Sequence, residues 1–86
     1  MSTTIEPEPF LRVTVGSLVF TSDQYKIGTV KERRGGAIKV GTPLLQRDYW
    51  LPAGTIRSAI PDAQVILWIA KPELEQHKLA QPPAAA

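Results

Sequence analysis

The chain has one histidine, His77, and no cysteine among its 86 residues. Catalysis by proton or group transfer needs a titratable side chain held against its target, usually with a third group orienting it. His77 comes late in a C-terminal stretch that opens with Pro72, Glu73 and Glu75 and ends with His77 and Lys78. That charge order suits a helix dipole, so His77 reads as a surface cation at a helix end. Asp23, Asp48 and Asp62 each stand beside turn-forming residues, where a short carboxylate bonds nearby backbone N–H groups. No pair among them has the look of an acid and a base. Metal binding would need clustered His, Cys or carboxylates, and neither the ligand types nor the spacing are present. Gly35-Gly36 joins two β-type runs and does not open a helix, so it is no phosphate loop. The expectation is a protein that is not an enzyme, with no catalytic residues, no metal, no cofactor and no small-molecule substrate.

Two groups of residues remain that can make contacts. Lys31, Arg33, Arg34 and Lys39 can form a basic hairpin face able to meet phosphates, with Arg47 and Arg57 as further cations. Glu32 interrupts the run and the net charge is only +2, so a solvated hairpin is the favoured reading of it. The run from Gln64 to Ala70 is the most apolar of the chain. Ile66 and Trp68 lie opposite Val65, Leu67 and Ile69, so both faces of this strand are apolar. One face belongs to the core. The other is to be covered by a C-terminal helix through Leu74 and Leu79, by the loop Pro43-Leu44-Leu45, or by another subunit. Trp50 is a second aromatic anchor, and tryptophan is favoured at interface centres. Trp50, Ile66 and Trp68 are therefore the candidate protein interface.

These residues need elements to place them. Arg12 to Val15 alternates polar and apolar, and Gly16-Ser17 breaks before the β-favouring run Leu18 to Thr21. Ser22-Asp23-Gln24-Tyr25 forms a turn into the strand Lys26 to Arg33, where the interior Gly28 predicts a bend. A three-residue loop, Arg34-Gly35-Gly36 with Gly36 left-handed, sets Val30 opposite Val40 and Lys31 against Lys39. Exposing Ile38 and Val40 instead would forfeit about 1.5–3 kcal/mol each, more than the like-charge pair costs. A short strand Asp48 to Leu51 ends at Pro52. Ile56 to Ile60 and Gln64 to Ala70 make a hairpin, and a helix follows over Pro72 to Ala80. Short strands between regular turns predict a mainly β fold: a small antiparallel β-barrel or half-barrel with a short C-terminal helix.

The order of the pieces carries a family likeness. Ser22-Asp23, Lys26-Ile27-Gly28-Thr29-Val30, Ile38-Lys39-Val40, Tyr49-Trp50-Leu51-Pro52, Val65-Ile66-Leu67 and Lys71-Pro72-Glu73-Leu74 follow one another. Across Val13 to Leu74 this resembles the PRC-barrel-like superfamily, above all its short bacterial members of unknown function. Gln24 departs from the pattern, since glycine is usual in that turn. The resemblance implies a small β-barrel used as an adaptor surface, with no active site to carry over.

Composition sets the outer limits. With 43% hydrophobic and 21% charged residues the chain belongs with ordinary globular proteins. A domain of this size buries about 60–65% of its unfolded surface, which leaves room for one core. Residues 1–9 read as a loose arm, 10–80 as the domain and 81–86 as a disordered Pro/Ala tail. No apolar run reaches the roughly 18–20 residues of a membrane span, and Met1 to Pro9 lacks signal-peptide order. With no cysteine to staple it, a reducing, cytoplasmic setting is expected. The expected role is a non-catalytic protein-binding or assembly module with a protein partner or homodimer, and no membrane. The alternative is an RNA- or ribosome-associated factor using the basic hairpin.

Overall fold

The computed structural model describes residues 8–42 and 47–82. A short helix α1 (Glu8–Leu11) leads into β1 (Leu18–Phe20), β2 (Lys26–Arg34), β3 (Ala37–Gly41), β4 (Tyr49–Pro52), β5 (Ile56–Ile60), β6 (Gln64–Leu67) and helix α2 (Leu74–His77). The strands form one sheet in the order β4-β3-β2-β1-β6-β5. The fold is mainly β with a short C-terminal helix, and its open sheet is consistent with a half-barrel. It is not antiparallel throughout. β2 occupies one edge of β1, and the β5–β6 hairpin returns to the other with β6 parallel to β1, Val19 beside Val65.

Three bulges bend this sheet. The register skips Ile27 in β2 against β1, Lys31 in β2 against β3, and Arg57 in β5 against β6. Each extra residue bends its strand and raises the local twist, which curls six short strands toward a half-barrel. The bend expected at Gly28 is thus the bulge at its neighbour Ile27. Glycine itself is required there because a Cβ would stand 2.9 Å from Val40 Cγ1 and closer still to the Gly41 carbonyl oxygen.

The β2–β3 turn corrects the sequence reading. Val30 faces Val40 as expected, but Arg34 faces Ala37, so the loop is the two residues Gly35 and Gly36, at φ +61° and +74°. Two successive positive φ values make a type I′ turn, whose twist matches the strands it joins. The bulge at Lys31 absorbs the extra residue that a longer loop would have held. Lys39 therefore faces Glu32, and the like-charge pair with Lys31 does not form.

The ends of the domain also differ from expectation. Arg12 to Val15 is not a strand. Its backbone makes tight turns, with Val13 N–H donating to the Phe10 carbonyl at 3.2 Å and Ser17 N–H to the Thr14 carbonyl at 3.2 Å. Gly16 at φ +97° then steers the chain into β1. The first described residues, Glu8 and Pro9, belong to α1. At the other end the helix expected over Pro72 to Ala80 is a 3-10 turn, Lys71–Glu73, followed by the single turn of α2. Lys78 is extended, and Leu79 exchanges two 2.9 Å backbone bonds with Trp50. That pairing satisfies the outer edge of β4, which outcompetes helix continuation. β6 ends at Leu67, because Trp68 N–H turns to the Thr55 carbonyl at 2.8 Å.

The core lies on one face of the sheet, with Val19, Val30, Ile38, Val40, Leu51, Val65 and Leu67 at its centre. Phe10 and Val13 close it from the N-terminal side and Leu74 from α2.

Candidate protein-contact face

The other face of β1, β6 and β5 supplies the site. Alternation along β6 sends Val65 and Leu67 into the core and leaves Ile66 half-buried on the outside. Trp68, just past the strand, is 63% exposed. In β1, Val19 is buried between Leu18 and Phe20, so Phe20 lies beside Ile66 on the outer face. Ile60 is 54% exposed near the β5–β6 turn. Leu18, Phe20, Ile66 and Trp68 thus form an apolar strip along β1 and β6, with Ile60 at its β5 side beyond Gln64.

Arg57 provides the charge on this strip. As the bulged residue of β5 it is unpaired in the ladder, and bulges re-aim side chains. Its guanidinium carbon lies 5.8 Å from the centroid of the Trp68 ring. Tryptophan and arginine are both among the residue types enriched where a few side chains dominate binding energy at interfaces, and the two attract one another when an arginine lies over the ring.

Among the three predicted interface residues, Ile66 and Trp68 come together on this face and Trp50 does not. Trp50 is 6% exposed and lies outside the main core cluster, across from Lys39 in the β3–β4 pair. Leu79 pairs with its backbone and the Lys39 amine stands 6.0 Å from its ring. The chain covers this tryptophan itself, through a C-terminal segment that the sequence placed in a helix. The loop Pro43-Leu44-Leu45, considered as cover for β6, lies outside the described residues. Leu74 packs into the core, so it does not cover the outer side of β6 either.

The four hairpin cations are not gathered into one patch. Arg33 donates from Nη1 to the Val13 carbonyl at 2.9 Å and stacks 5.0 Å from the Phe10 ring. It ties the N-terminal segment to β2. Arg34 pairs with the Glu32 carboxylate. Lys39 serves Trp50, and the stem of Lys31 lies against Gly41 where a Cβ would clash with it. Alternation places Glu32, Arg34 and Lys39 on one side and Arg33 on the other.

The titratable groups do structural work. Asp23 accepts from the Thr21 hydroxyl at 2.6 Å and from Lys71 N–H at 3.1 Å, clamping the β1–β2 turn to the C-terminal segment. Chiefly through the Thr21 bond, its carboxyl is held below the usual value. Tyr49 is pushed up to about 12 by burial first and the Glu75 charge second, so its phenol is neutral at ordinary pH. Lys78 Nζ sits 4.5 Å over its ring. His77 closes α2, and the Asp62 N–H donates to Thr14 Oγ1 at 2.7 Å. Among the described residues no group of three or more His, Cys, Asp or Glu can hold a metal ion, and no helix is long and apolar enough to cross a membrane.

Sequence reasoning passed over Phe20, Leu18 and Ile60, and set Arg57 beside the basic hairpin as a further cation rather than beside Trp68. The signal was present in Leu18-Val19-Phe20, a strand apolar on both faces like β6 beside it. Comparison with family models, with curated proteins and with solved structures finds no match to this chain.

Proposed function

We propose that the chain is a non-catalytic protein-binding or assembly module of PRC-barrel-like type, meeting its partner through the outer face of β6. Trp68 carries this reading: the largest side chain type stands mostly in solvent, beside Arg57, at the end of a strand whose other face is wholly buried. Leaving indole in water forfeits burial energy that the domain, with its thin stability margin, gains elsewhere. An interface offers that gain on association. The partner is a different protein or a second copy of the chain. A cytoplasmic setting belongs to the same proposal and rests on the lack of cysteine.

The RNA reading has less support, because Arg33, Arg34 and Lys39 are each engaged within the chain and point to different faces. Salt dependence separates the two, since phosphate contacts weaken steeply with salt and apolar ones do not. The test compares the immobilised chain with its Trp68→Ala and Ile66→Asp variants for capture from lysate at low and high salt. Sedimentation at high micromolar concentration accompanies it. Capture or self-association that survives high salt and is lost in both variants supports the proposal. Capture and sedimentation unchanged by either variant refute it.

A further inference from the structure

Beside Trp68, on the same outer face, lies an open groove of about 350 Å³. Phe20 and Ile66 form its apolar part, and Gln24, Gln64, Ser22 and Arg57 supply polar groups to its walls. Among the described residues, no side chain lining it is acidic and Arg57 is its one charge. The Arg57 guanidinium has the Trp68 ring as its neighbour and no carboxylate partner among the described residues, while Asp23, close in sequence to the groove, is turned to Thr21 and Lys71.

Gln24 gives a second, independent observation. It sits at φ +72°, a left-handed conformation that disfavours any residue with a Cβ. Glycine would relax the turn, yet a glutamine occupies it and lines the groove. Strain kept at one position is a pointer to what its side chain does.

Resting on the protein-contact reading above, we propose that this groove takes an extended peptide segment in which a carboxylate side chain adjoins an aliphatic one. The aliphatic group lies over Phe20 and Ile66. The carboxylate meets Arg57, whose planar fork suits bidentate pairing. Gln24 and Gln64 each offer a donor and an acceptor, the complement of a peptide group. The charge balance selects this occupant: a single cation with no competing acid, beside apolar surface, prefers an acidic-aliphatic segment over a basic or polar one.

The test uses the full chain and a fluorescein-labelled peptide, Gly-Ser-Leu-Glu-Val-Ser-Gly, against the same peptide with Gln for Glu. Anisotropy gives affinity and two-dimensional amide NMR gives location. The Glu peptide should bind about tenfold more tightly than the Gln peptide, the range of a charge-assisted hydrogen bond, and should shift the amides of β1 and β6. Arg57→Gln should erase the preference. Gln24→Gly should weaken Glu-peptide binding while raising the melting temperature, a combination that a purely structural role for Gln24 does not produce. Equal binding of both peptides, no binding at millimolar concentration, or a preference that survives Arg57→Gln overturns the groove assignment. If the assignment fails while Trp68-dependent capture persists, the contact reading stands without it. If both fail, the reading falls as well.

Discussion

Truncating each tryptophan in turn distinguishes a covered indole from a presented one. Trp50 is 6% exposed and Trp68 is 63% exposed. Taking a tryptophan to bury at most about 250 Å², Trp50 hides about 230 Å² and Trp68 about 90 Å². At about 25 cal/mol per Å² these are worth about 6 and about 2 kcal/mol as upper bounds, since the denatured chain also hides surface. Alanine keeps part of each contact, so Trp50→Ala should cost about 3–5 kcal/mol and Trp68→Ala about 1 kcal/mol. Against a total of about 4–13 kcal/mol for a domain of this size, the first loss is severe and the second minor. In melting temperature the Trp68 variant should fall by about 4–8 °C and the Trp50 variant by about three times as much. Urea and thermal unfolding followed by far-UV circular dichroism measure both. Native fluorescence adds a check, because the variant retaining only Trp50 should emit to the blue of the variant retaining only Trp68. Should Trp50→Ala fail to fold, Trp50→Phe against Trp68→Phe preserves the comparison. Equal destabilisation by the two replacements would refute the assignment of one tryptophan to the interior and the other to a contact face.

Gly28→Ala should cost about 1–3 kcal/mol, because its Cβ meets the Gly41 backbone and Val40. Gly54→Ala, where a Cβ has open space, should change chemical-denaturation stability by less than about 1 kcal/mol; the reverse order would count against the tight β2–β3 approach. Tyr49, raised to about 12, contributes stability that is complete below the ordinary phenol value near 10 and is lost as pH rises through 12. Alkaline unfolding midpoints should therefore move when Tyr49→Phe removes the group, and an unmoved midpoint contradicts the burial. Asp23 has the opposite sign: its lowered carboxyl contributes above the usual value of 3.8 and stops contributing as pH falls through its folded value. Asp23→Asn should accordingly flatten acid unfolding in the window between 3.8 and the lower folded value. Arg33→Gln should loosen the segment around Phe10 and Val13, seen as faster amide exchange there with β5–β6 unaffected.

The order of strands was legible because each run of β-branched residues is bracketed by turn formers with a specific backbone preference. Register was legible only where burial decided it: Val30 against Val40 follows from apolar pairing, whereas the compensation between a two-residue turn and the Lys31 bulge gives the same partners by another route. Alternation alone misread Arg12 to Val15, where the Thr14 side chain and Gly16 favour turns. The parallel β1–β6 pair has no local signature at all, since it joins segments far apart in sequence. At the candidate site, the two-faced apolar pattern of β6 located Ile66 and Trp68. Trp50 could not be told from Trp68 by type or neighbours, because what covers it, Leu79, arrives from the far end of the chain. Arg57 joins them through a bulge, which single-residue spacing does not announce.

The seam between β1 and β6 also sets the tempo of folding. The antiparallel pairs β1–β2, β2–β3 and β5–β6 each close short loops, whereas Leu18 meets Gln64 only after about 45 residues of chain are drawn together. That closure costs about 2 kcal/mol more in loop entropy than a hairpin of about five residues. Two preformed units, β1 through β4 and the β5–β6 hairpin, are thus expected to dock in the rate-limiting event. Core truncations within the preformed β2–β3 hairpin should then slow refolding with little change in unfolding, and those at Val19 and Val65 should slow refolding in proportion to how far the seam has closed in the transition state. The same docking step unites Phe20 with Ile66, so the outer face comes into existence only when the last seam closes.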